Sequence, residues 1–302
     1  MLKHYFQKKL VEKVARGVIV IDKEAGITSH DEVDRLRRLF KTRRIGHSGT
    51  LDPKVTGVLV CGLGRGTKVL EYVLLSQKVY DCEIIFHKKV TQKQFEQVMT
   101  QFQGKIVQLP PVKSSVKRVE REREVYGLEL LRFAEDKRSA HIKCSVERGT
   151  YIRKLCHDIG TQLGVGAHMG DLRRTDAGPF GLHNSQVVTV SDLQALFRKS
   201  RLPVVGFWYI KKIMRCIEPI ERALKGIPRV TTDSRLKKVI ASGADLFVPG
   251  VFNAEEIQEG DMVQIVDENK KVLAVGHAEM TTKQMQVSEK GVAVKITKRL
   301  CV

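Results

Sequence analysis

The sequence lacks the features of secreted, disulfide-bonded and membrane-spanning proteins. In its 302 residues, no apolar run reaches the ~18 to 20 positions that a membrane span needs. Residues 1–9 contain no apolar core of the kind found in a secretory signal. The six cysteines are scattered without a Cys-x-x-Cys pair, which favours neither a disulfide framework nor a zinc site. We therefore expect a cytosolic protein whose cysteines are reduced and mostly buried.

Acidic residues are also far fewer than basic residues. The chain has 53 Lys and Arg against 34 Asp and Glu, a net charge of +19. Residues 227–302 carry 11 basic and 10 acidic residues, so +18 of this charge belongs to residues 1–226. This surplus exceeds what solubility requires and predicts an anionic partner, with RNA favoured over a membrane surface because no lipidation signal is present. Composition alone leaves open the alternative of an evenly solvated basic surface.

Strand-like and helix-like segments alternate, which predicts a mixed α/β fold. A buried strand at 17–22 precedes a helix that Thr28 or Ser29 caps and that runs to about Phe40. Further helices are predicted at 67–75, 95–103, 150–163 and 208–224, the last interrupted by Pro219. Further strands are predicted at 55–62, 79–86, 125–133 and 142–146.

Glycine and proline mark the predicted breaks. The glycines of 164–170 indicate a flexible turn, and Pro110-Pro111 introduces a basic segment, 112–118, that could be a mobile substrate loop. Gly226 and Pro228 fall where the charge balance changes, which predicts one domain over 1–226 and a second over 227–302. The second domain is predicted to be β-rich, because 292–296 alternates apolar and polar residues and turn-forming pairs precede it.

The densest cluster of unusual residues is the loop 43–53, RRIGHSGTLDP. An aspartate before proline is commonly a turn former, and a histidine is more often structural than catalytic. Asp52, however, places a negative charge in strongly basic surroundings, between glycines that allow a ligand to approach the backbone. Asp52 is therefore the leading candidate for a functional group.

Residues 46–53, GHSGTLDP, together with Thr56-Gly57 resemble the signature of the pseudouridine synthases related to bacterial tRNA pseudouridine-55 synthase. The resemblance continues through 20–30, 78–80, 149–153 and 164–175. Within that class, GAHM, LRRT and GPF at 166–180 resemble the archaeal and eukaryotic branch, the dyskerin-like catalytic subunits of box H/ACA ribonucleoproteins, and the chain is expected to be archaeal. Residues 242–251 with Gly260-Asp261 are similar to a PUA domain, an RNA-binding module.

Two departures from the family pattern are visible. Glu24 stands where the family usually has proline, and the N-terminal extension is shorter than in eukaryotic members. The resemblance implies the pseudouridine synthase fold, with a mixed and mainly antiparallel sheet, followed by a small β-barrel-like PUA domain. It also implies isomerisation of uridine within an RNA chain, without cofactor or metal.

The resemblance assigns three catalytic residues. Asp52 matches the catalytic aspartate, which either attacks the ribose or removes its 2′ proton, and the two routes stay open. Arg153 matches the arginine that pairs with this aspartate. Tyr80 matches the tyrosine that stacks on the base and assists proton removal at C5.

Three further residues are assigned to the substrate. Leu172 matches an apolar wall of the pocket, and His47 matches a residue that holds the target nucleotide out of its stack. Lys23 is expected to be a structural or RNA-contacting companion.

The implied partners are RNA and the small H/ACA core proteins. The RNA could be a guide RNA with ribosomal RNA as the target, or tRNA modified at the uridine of the TψC arm without a guide. Members of this branch are associated with both modes. A non-catalytic RNA-binding scaffold is the alternative class of function, which the PUA-like tail and the basic charge would also support.

Overall fold

The computed structural model describes residues 2–110 and 117–301. Contacts within the chain form two compact units, one ending at Glu218 and the other beginning at Pro219. Most of the basic segment 112–118, which was predicted to be a substrate loop, lies outside the described residues. Within the described ranges, no helix is long and apolar enough to cross a membrane.

The first unit combines helices with a large sheet. Its helices are α1 Leu2–Ala15, α2 Ser29–Phe40, α3 Leu70–Leu75, α4 Gln92–Thr100, α5 Ile152–Gln162, α6 Val190–Lys199 and α7 Gly206–Arg215. Its strands are β1 Arg16–Lys23, β2 Ile45–His47, β3 Thr56–Gly64, β4 Lys78–Phe86, β5 Gly104–Gln108, β6 Arg121–Phe133, β7 Ser139–Val146, β8 Ala167–Ala177, β9 Phe180–Gly181, β10 Val187–Val188 and β11 Ile217–Pro219. A 3-10 turn, Arg65–Val69, leads into α3.

These strands form one mixed sheet in the order β10-β1-β3-β8-β4-β7-β6-β5, with β11 on β1, β2 on β3 and β9 on β8. The pairs β1–β10 and β3–β8 are parallel and the others are antiparallel. The prediction of a mixed α/β fold with a mainly antiparallel sheet is therefore confirmed.

The β3–β8 pairing connects two distant segments of the family signature. Thr56 lies beside Arg173 and Gly57 beside Arg174. Gly57 has a φ of +100°, and any side chain there would collide with the backbone of Arg174. Only glycine permits this close approach. The loop that carries Asp52 is thereby joined to the central strand β8.

Helices cover the sheet because their apolar faces match its buried strands. Thr28 caps α2 through a capping box with Asp31, as predicted for one of the two candidate caps. Leu36 of α2 packs with Ile19 and Leu59 of the strands beneath. A second core lies where α4 and α5 meet the other end of the sheet.

Three predicted elements were wrong in extent. Residues 164–170 do not form one flexible turn, because only Gly164 and Gly166 adopt positive φ (69° and 70°) and strand β8 begins at Ala167. The glycine at 170 lies inside that strand, where the carboxylate of Glu83 occupies the space of a side chain. The glycines therefore predicted a turn correctly at 164–166 but not at 167–170.

The helix predicted over 208–224 was also too long. It ends at Arg215, and β11 then pairs with β1 before a 3-10 turn at Ile220–Leu224. Pro219 cannot continue a helix and disfavours helical geometry in the residue before it. The predicted helix ending at Gly104 stops earlier, at Thr100, and helix α1 was not predicted.

The second unit is β-rich, as predicted. Its strands are β12 Arg229–Thr232, β13 Leu246–Phe247, β14 Val251–Ala254, β15 Met262–Val266, β16 Val272–Ala278 and β17 Val292–Arg299, and its helices are α8 Lys237–Ser242 and α9 Thr282–Val287. The strands form a nearly closed, barrel-like sheet in the order β13-β17-β16-β15-β12-β14. Additional 3-10 turns lie at Ser234–Leu236 and Val248–Gly250. The core of this unit is apolar, with Ile265, Leu273 and Val294 fully buried.

The cysteines fit the expectation from sequence. All six are free, and five of them are buried. Burial raises the pKa of the Cys144 thiol, because an ionised sulfur loses its hydration there. The hydrogen bond with Cys82, together with burial, raises the pKa of the Cys156 thiol.

Candidate active site

A pocket of about 360 Å³ opens in the first unit where the loop before β3, strands β4 and β8 and the start of α5 meet. Four of the six residues singled out from the sequence line it, namely Asp52, Tyr80, Arg153 and Leu172. Lys23 and His47 are not among its lining residues. Residues that are separated by up to 120 positions in the chain thus converge on one cavity.

Asp52 and Arg153 form an ion pair in this pocket. A terminal nitrogen of Arg153 donates a close hydrogen bond to Oδ2 of Asp52. More than half of each side chain is exposed, 56% for Asp52 and 59% for Arg153, so a substrate can reach both groups. The guanidinium orients the carboxylate and partly balances its charge.

The backbone around Asp52 is clamped by buried side chains. Ser29, 1% exposed, accepts a hydrogen bond from Leu51 N at 2.9 Å and donates one to Leu51 O at 3.2 Å. Arg174, 2% exposed, donates to Val58 O at 2.7 Å and to Gly49 O at 3.2 Å. The loop is therefore fixed on both sides of the pocket, which pre-organises the carboxylate.

Lys23 supports the same loop from beneath. Its side chain is fully buried, and its Nζ donates to Glu24 O at 2.9 Å and to Pro53 O at 3.0 Å. Burial lowers the pKa of Lys23, whereas the nearby negative charges of Glu32 and Asp52 oppose this shift. Its ammonium group is thereby hydrogen-bonded to the backbone that follows Asp52.

Tyr80 and Leu172 enter the pocket from the sheet. Tyr80 lies on β4 opposite Arg174 of β8, and Leu172 lies opposite Cys82 of the same strand. Both side chains are half-buried and pack against the core beside α5. The strand register therefore places an aromatic ring and an aliphatic wall close to the Asp52–Arg153 pair.

His47 lies on β2, paired with Cys61 of β3, two residues before the pocket residue Gly49. Burial lowers the pKa of His47, and the positive charge of Arg174 lowers it further. The imidazole is consequently neutral at pH 7. It stands behind the glycine-rich loop that forms one side of the pocket.

Lys78 is a pocket residue to which the sequence analysis gave no role. Its Nζ donates to the carbonyls of Val73 at 2.8 Å and Leu74 at 3.1 Å, and closely to that of Ser76. Burial lowers the pKa of Lys78 to about 7, and the positive charges of Arg174 and Arg148 add to this. The lysine ties the end of α3, which carries Leu74 into the pocket, to the strand that carries Tyr80.

Arg174 and Arg148 were likewise missed as site residues. Both lie within or beside segments that carry the family resemblance, in LRRT at 172–175 and directly before GTYIR at 149–153. Their positions in the motifs were the sequence signal that could have identified them. The structural role of Arg174 follows only from the pairing of β8 with β3, which places it beside Gly57.

This arrangement can perform acid–base or nucleophilic chemistry on a substrate that enters a basic pocket. It combines an accessible carboxylate, a guanidinium, a phenol and an apolar wall. Within the described residues, no group of three or more His, Cys, Asp and Glu side chains is placed to hold a metal ion.

Family models match nearly the whole chain. Residues 37–152 match the "TruB family pseudouridylate synthase (N terminal domain)", residues 153–225 match the "tRNA pseudouridylate synthase B C-terminal domain", and residues 228–300 match the "PUA domain".

Curated relatives align over almost the full length. A probable tRNA pseudouridine synthase B of Methanopyrus kandleri is 38% identical over 299 residues, which cover 97% of this chain and 85% of the relative. The protein of the same name from Thermococcus kodakarensis is 40% identical over 283 residues, 93% of this chain and 82% of the relative.

Solved structures show the same similarity. A chain in the crystal structure of a Cbf5-Nop10-Gar1 complex superposes with a TM-score of 0.85 at 36% identity, covering 96% of this chain and 87% of that one. A chain in the structure of an H/ACA RNP bound to a substrate RNA containing 2′-deoxyuridine superposes with a TM-score of 0.84 at 34% identity, with 96% and 87% coverage.

Proposed function

We propose that this chain, which belongs to the TruB family of pseudouridylate synthases, isomerises uridine in RNA at the pocket formed around Asp52. The observation that supports this most strongly is the convergence of Asp52, Arg153, Tyr80 and Leu172 on one accessible cavity. A carboxylate paired with a guanidinium is suited to chemistry at the ribose of an anionic polymer.

In the proposed reaction, the bond between N1 of uracil and C1′ of the ribose breaks, and the uracil turns. A bond between C5 and C1′ then forms, the proton at C5 is lost, and N1 takes up a proton, so that the product is an isomer of the substrate. Asp52 acts on the sugar either by attacking C1′ or by removing the 2′ proton. Arg153 holds the carboxylate of Asp52 in orientation throughout, through the ion pair described above.

The remaining residues act on the base and the pocket. Tyr80 stacks on uracil and assists removal of the C5 proton. Leu172 excludes water, which protects the cleaved intermediate from hydrolysis. His47 helps to hold the target nucleotide out of its stack. Lys23 is a positioning residue whose Nζ donates to Pro53 O.

We further propose that the substrate is reached in one of two ways. The chain can act as the catalytic subunit of a guide-RNA-directed H/ACA particle on ribosomal RNA, with small core proteins such as those in the similar solved complexes. Alternatively, it can modify the TψC-arm uridine of tRNA unaided, as the names of its curated relatives suggest. In either mode the catalytic domain is proposed to span 1–226 and the RNA-binding PUA domain 227–302, in a cytosolic protein.

The test is mass mapping of pseudouridine in RNA treated with the purified protein. Unmodified tRNA and a ribosomal RNA fragment are each incubated with the protein alone, and with guide RNA and core proteins added. Pseudouridine at the TψC-arm uridine without additions indicates the unaided mode, and formation only in the complete mixture indicates the guided mode. No pseudouridine in any mixture would reject the proposed function.

A further inference from the structure

A row of aromatic rings crosses the surface that helices α1 and α7 share in the first unit. The rings are those of Tyr5 and Phe6 in α1 and of Phe207 and Trp208 in α7. Along the row, neighbouring ring centroids lie 5.4, 6.2 and 4.9 Å apart. Both ends of the row are open to solvent, since Tyr5 is 54% exposed and Trp208 is 55% exposed. The row therefore presents two accessible rings.

Two lysines of α1 fasten this helix alongside α7. Lys3 Nζ donates to the backbone oxygen of Arg201 at 3.3 Å, just before α7 begins. Lys13 Nζ donates to the backbone oxygens of Met214 and Ile217, both at 2.8 Å, where α7 ends. The two helices consequently run side by side in the same direction, and the spacing of the rings is fixed by contacts at both ends.

The surface around the row is strongly basic. Residues 2–15 and 198–215, which include α1 and α7, contain ten Lys and Arg and one acidic residue, Glu12. Glu12 is paired with Lys9 of the same helix at 3.1 Å. A second copy of the chain would bring the same positive charge to this surface and would be repelled. The charge therefore favours an anionic occupant.

Lys211 places a positive charge at the centre of the row. Its Nζ lies 5.5 Å from the ring centroid of Phe6 and 5.4 Å from that of Trp208, within the range of cation–π attraction. Charged residues are depleted at the centre of protein–protein interfaces. Surfaces that bind single-stranded nucleic acid, in contrast, combine aromatic rings for the bases with cations for the phosphates. The four rings and Lys211, which together form the α1–α7 face, present this second combination.

We propose, resting on the function proposed above, that the α1–α7 face binds an unpaired stretch of the RNA away from the target uridine, with bases stacked on Tyr5 and Trp208. The surrounding lysines and arginines attract the phosphates of that stretch. None of the described residues that line the active-site pocket belongs to this face, so it is a separate contact with the RNA.

A protein partner is the competing occupant. Leu202, Val204 and Val205, which precede α7, are exposed apolar side chains that such a partner would cover. The experiment must therefore show whether bases stack on the rings, and Trp208 allows this because it is the only tryptophan in the chain. A base that stacks on the indole quenches its fluorescence, so the signal reports on this face alone.

The intrinsic fluorescence of the full-length protein is titrated with an oligocytidine of about 12 nucleotides, a length that one single-strand site can cover. This RNA contains no uridine and cannot react at Asp52. Polyphosphate of matched charge is the second probe, because it carries the negative charge without bases. The anisotropy of labelled oligocytidine measures the affinity of the wild type and of the variants.

The variants separate ring stacking from charge. Tyr5→Leu/Trp208→Leu removes both exposed rings, whereas Tyr5→Phe/Trp208→Phe keeps an aromatic ring at each position. Tyr126→Leu is the matched control, because Tyr126 is an exposed tyrosine of the same unit with the negative charges of Glu124 and Glu147 nearby.

We expect oligocytidine to quench the fluorescence of Trp208 and polyphosphate to leave it unchanged. The double leucine variant should bind oligocytidine about tenfold more weakly than wild type, as loss of base–ring stacking does. The double phenylalanine variant should bind within about twofold of wild type, since stacking tolerates an exchange of rings. The Tyr126→Leu control should bind as wild type does.

Equal quenching by the two probes would overturn the stacking surface. So would the absence of quenching by either probe, which would leave a protein partner as the better occupant, and so would an unchanged affinity of the double leucine variant. Circular dichroism checks the fold of that variant. If it is unfolded, Tyr5→Leu alone is used, and its Trp208 should be quenched only at higher oligocytidine concentrations. Pseudouridine formation by wild type on unmodified tRNA is scored separately, so failure of the proposed function is distinguished from failure of this face.

Discussion

Basic side chains are among the buried polar residues that fasten loops in the first unit, whereas the described buried polar residues of the second unit, Thr232, Asp233, Gln264 and Asp267, are neutral or acidic. In the first unit, the buried polar side chains include Lys23, Lys78 and Arg174, each donating to backbone carbonyls around the pocket. In the second unit, Gln264, 2% exposed, donates to Leu224 O at 3.3 Å and Ile227 O at 2.7 Å. Neutral and charged groups thus perform the same structural task in one chain.

The difference indicates where burying charge serves a function. Removing a cation from water costs more free energy than removing a neutral amide, unless several acceptors surround the cation. In the first unit, Lys23, Lys78 and Arg174 hold backbone around the pocket that Asp52 lines. Arg174 and the protonated form of Lys78 therefore add positive charge to the pocket lining, whereas residues 227–302 have nearly balanced charge.

The largest contrast is expected between two Arg–Asp ion pairs, one in each unit. Arg153 pairs with Asp52 in the pocket, and in the second unit the exposed Arg235 pairs with the buried Asp233. Arg153→Gln should slow pseudouridine formation about 10²- to 10³-fold at saturating RNA, because the carboxylate loses its orienting donor. Single-turnover assays measure this rate.

Arg235→Gln is the matched control. Since Arg235 belongs to the second unit and is not among the residues that line the pocket, its loss should leave the rate unchanged. Equal effects of the two substitutions on the rate would contradict the distinction between the units.

The next contrast compares the two buried fasteners themselves. Arg174→Met leaves the carbonyls of Val58 and Gly49 without their donor, so the free energy of unfolding should fall by about 2 to 4 kcal/mol. The loop also loses its clamp, so the single-turnover rate should fall about 10- to 100-fold.

Gln264→Leu should cost about 1 to 3 kcal/mol in the free energy of unfolding and leave the rate unchanged. Urea denaturation and single-turnover assays on both variants make the comparison. A slower reaction in Gln264→Leu would contradict the claim that only the first-unit residue affects the rate. An unchanged rate in Arg174→Met would show that the hydrogen bonds of Arg174 are not needed to position the pocket loop.

The smallest expected effect concerns pH. The pKa of His47 is below its ordinary value of 6.5 because the ring is buried. As the pH falls through 6.5, the unfolded chain takes up a proton before the folded one, so stability is lost toward acid. His47→Gln should therefore lose less stability than wild type between pH 7 and 5, as measured by urea denaturation. His277→Gln, at an exposed position in the second unit, should follow wild type.

Local patterns predicted much of this fold. Three short patterns predicted the observed structure, namely the apolar run at 17–22, the helix cap at Thr28 and the alternation at 292–296. Errors arose where long-range pairing decides the structure. The segment that begins at Ala167 is a strand because it pairs with β4 and β3. Ile217 lies in β11, which pairs with β1, and is therefore not part of the predicted helix.

The same limit applies to the pocket. Asp52 and Arg153 were paired in advance by family resemblance, and the structure brings them together across 101 positions. Lys78 and Arg174 escaped assignment because their roles depend on which carbonyls the folded chain presents to them.

The central claim is that the Asp52 carboxylate performs the chemistry. RNA carrying tritium at C5 of uridine reports it directly, because the C5 hydrogen is released when C5 bonds to the ribose. Wild type should release tritium, while Asp52→Asn should release it at least about 10³-fold more slowly with the same affinity for the RNA. Release by a folded Asp52→Asn protein at a rate within about tenfold of wild type would contradict the account.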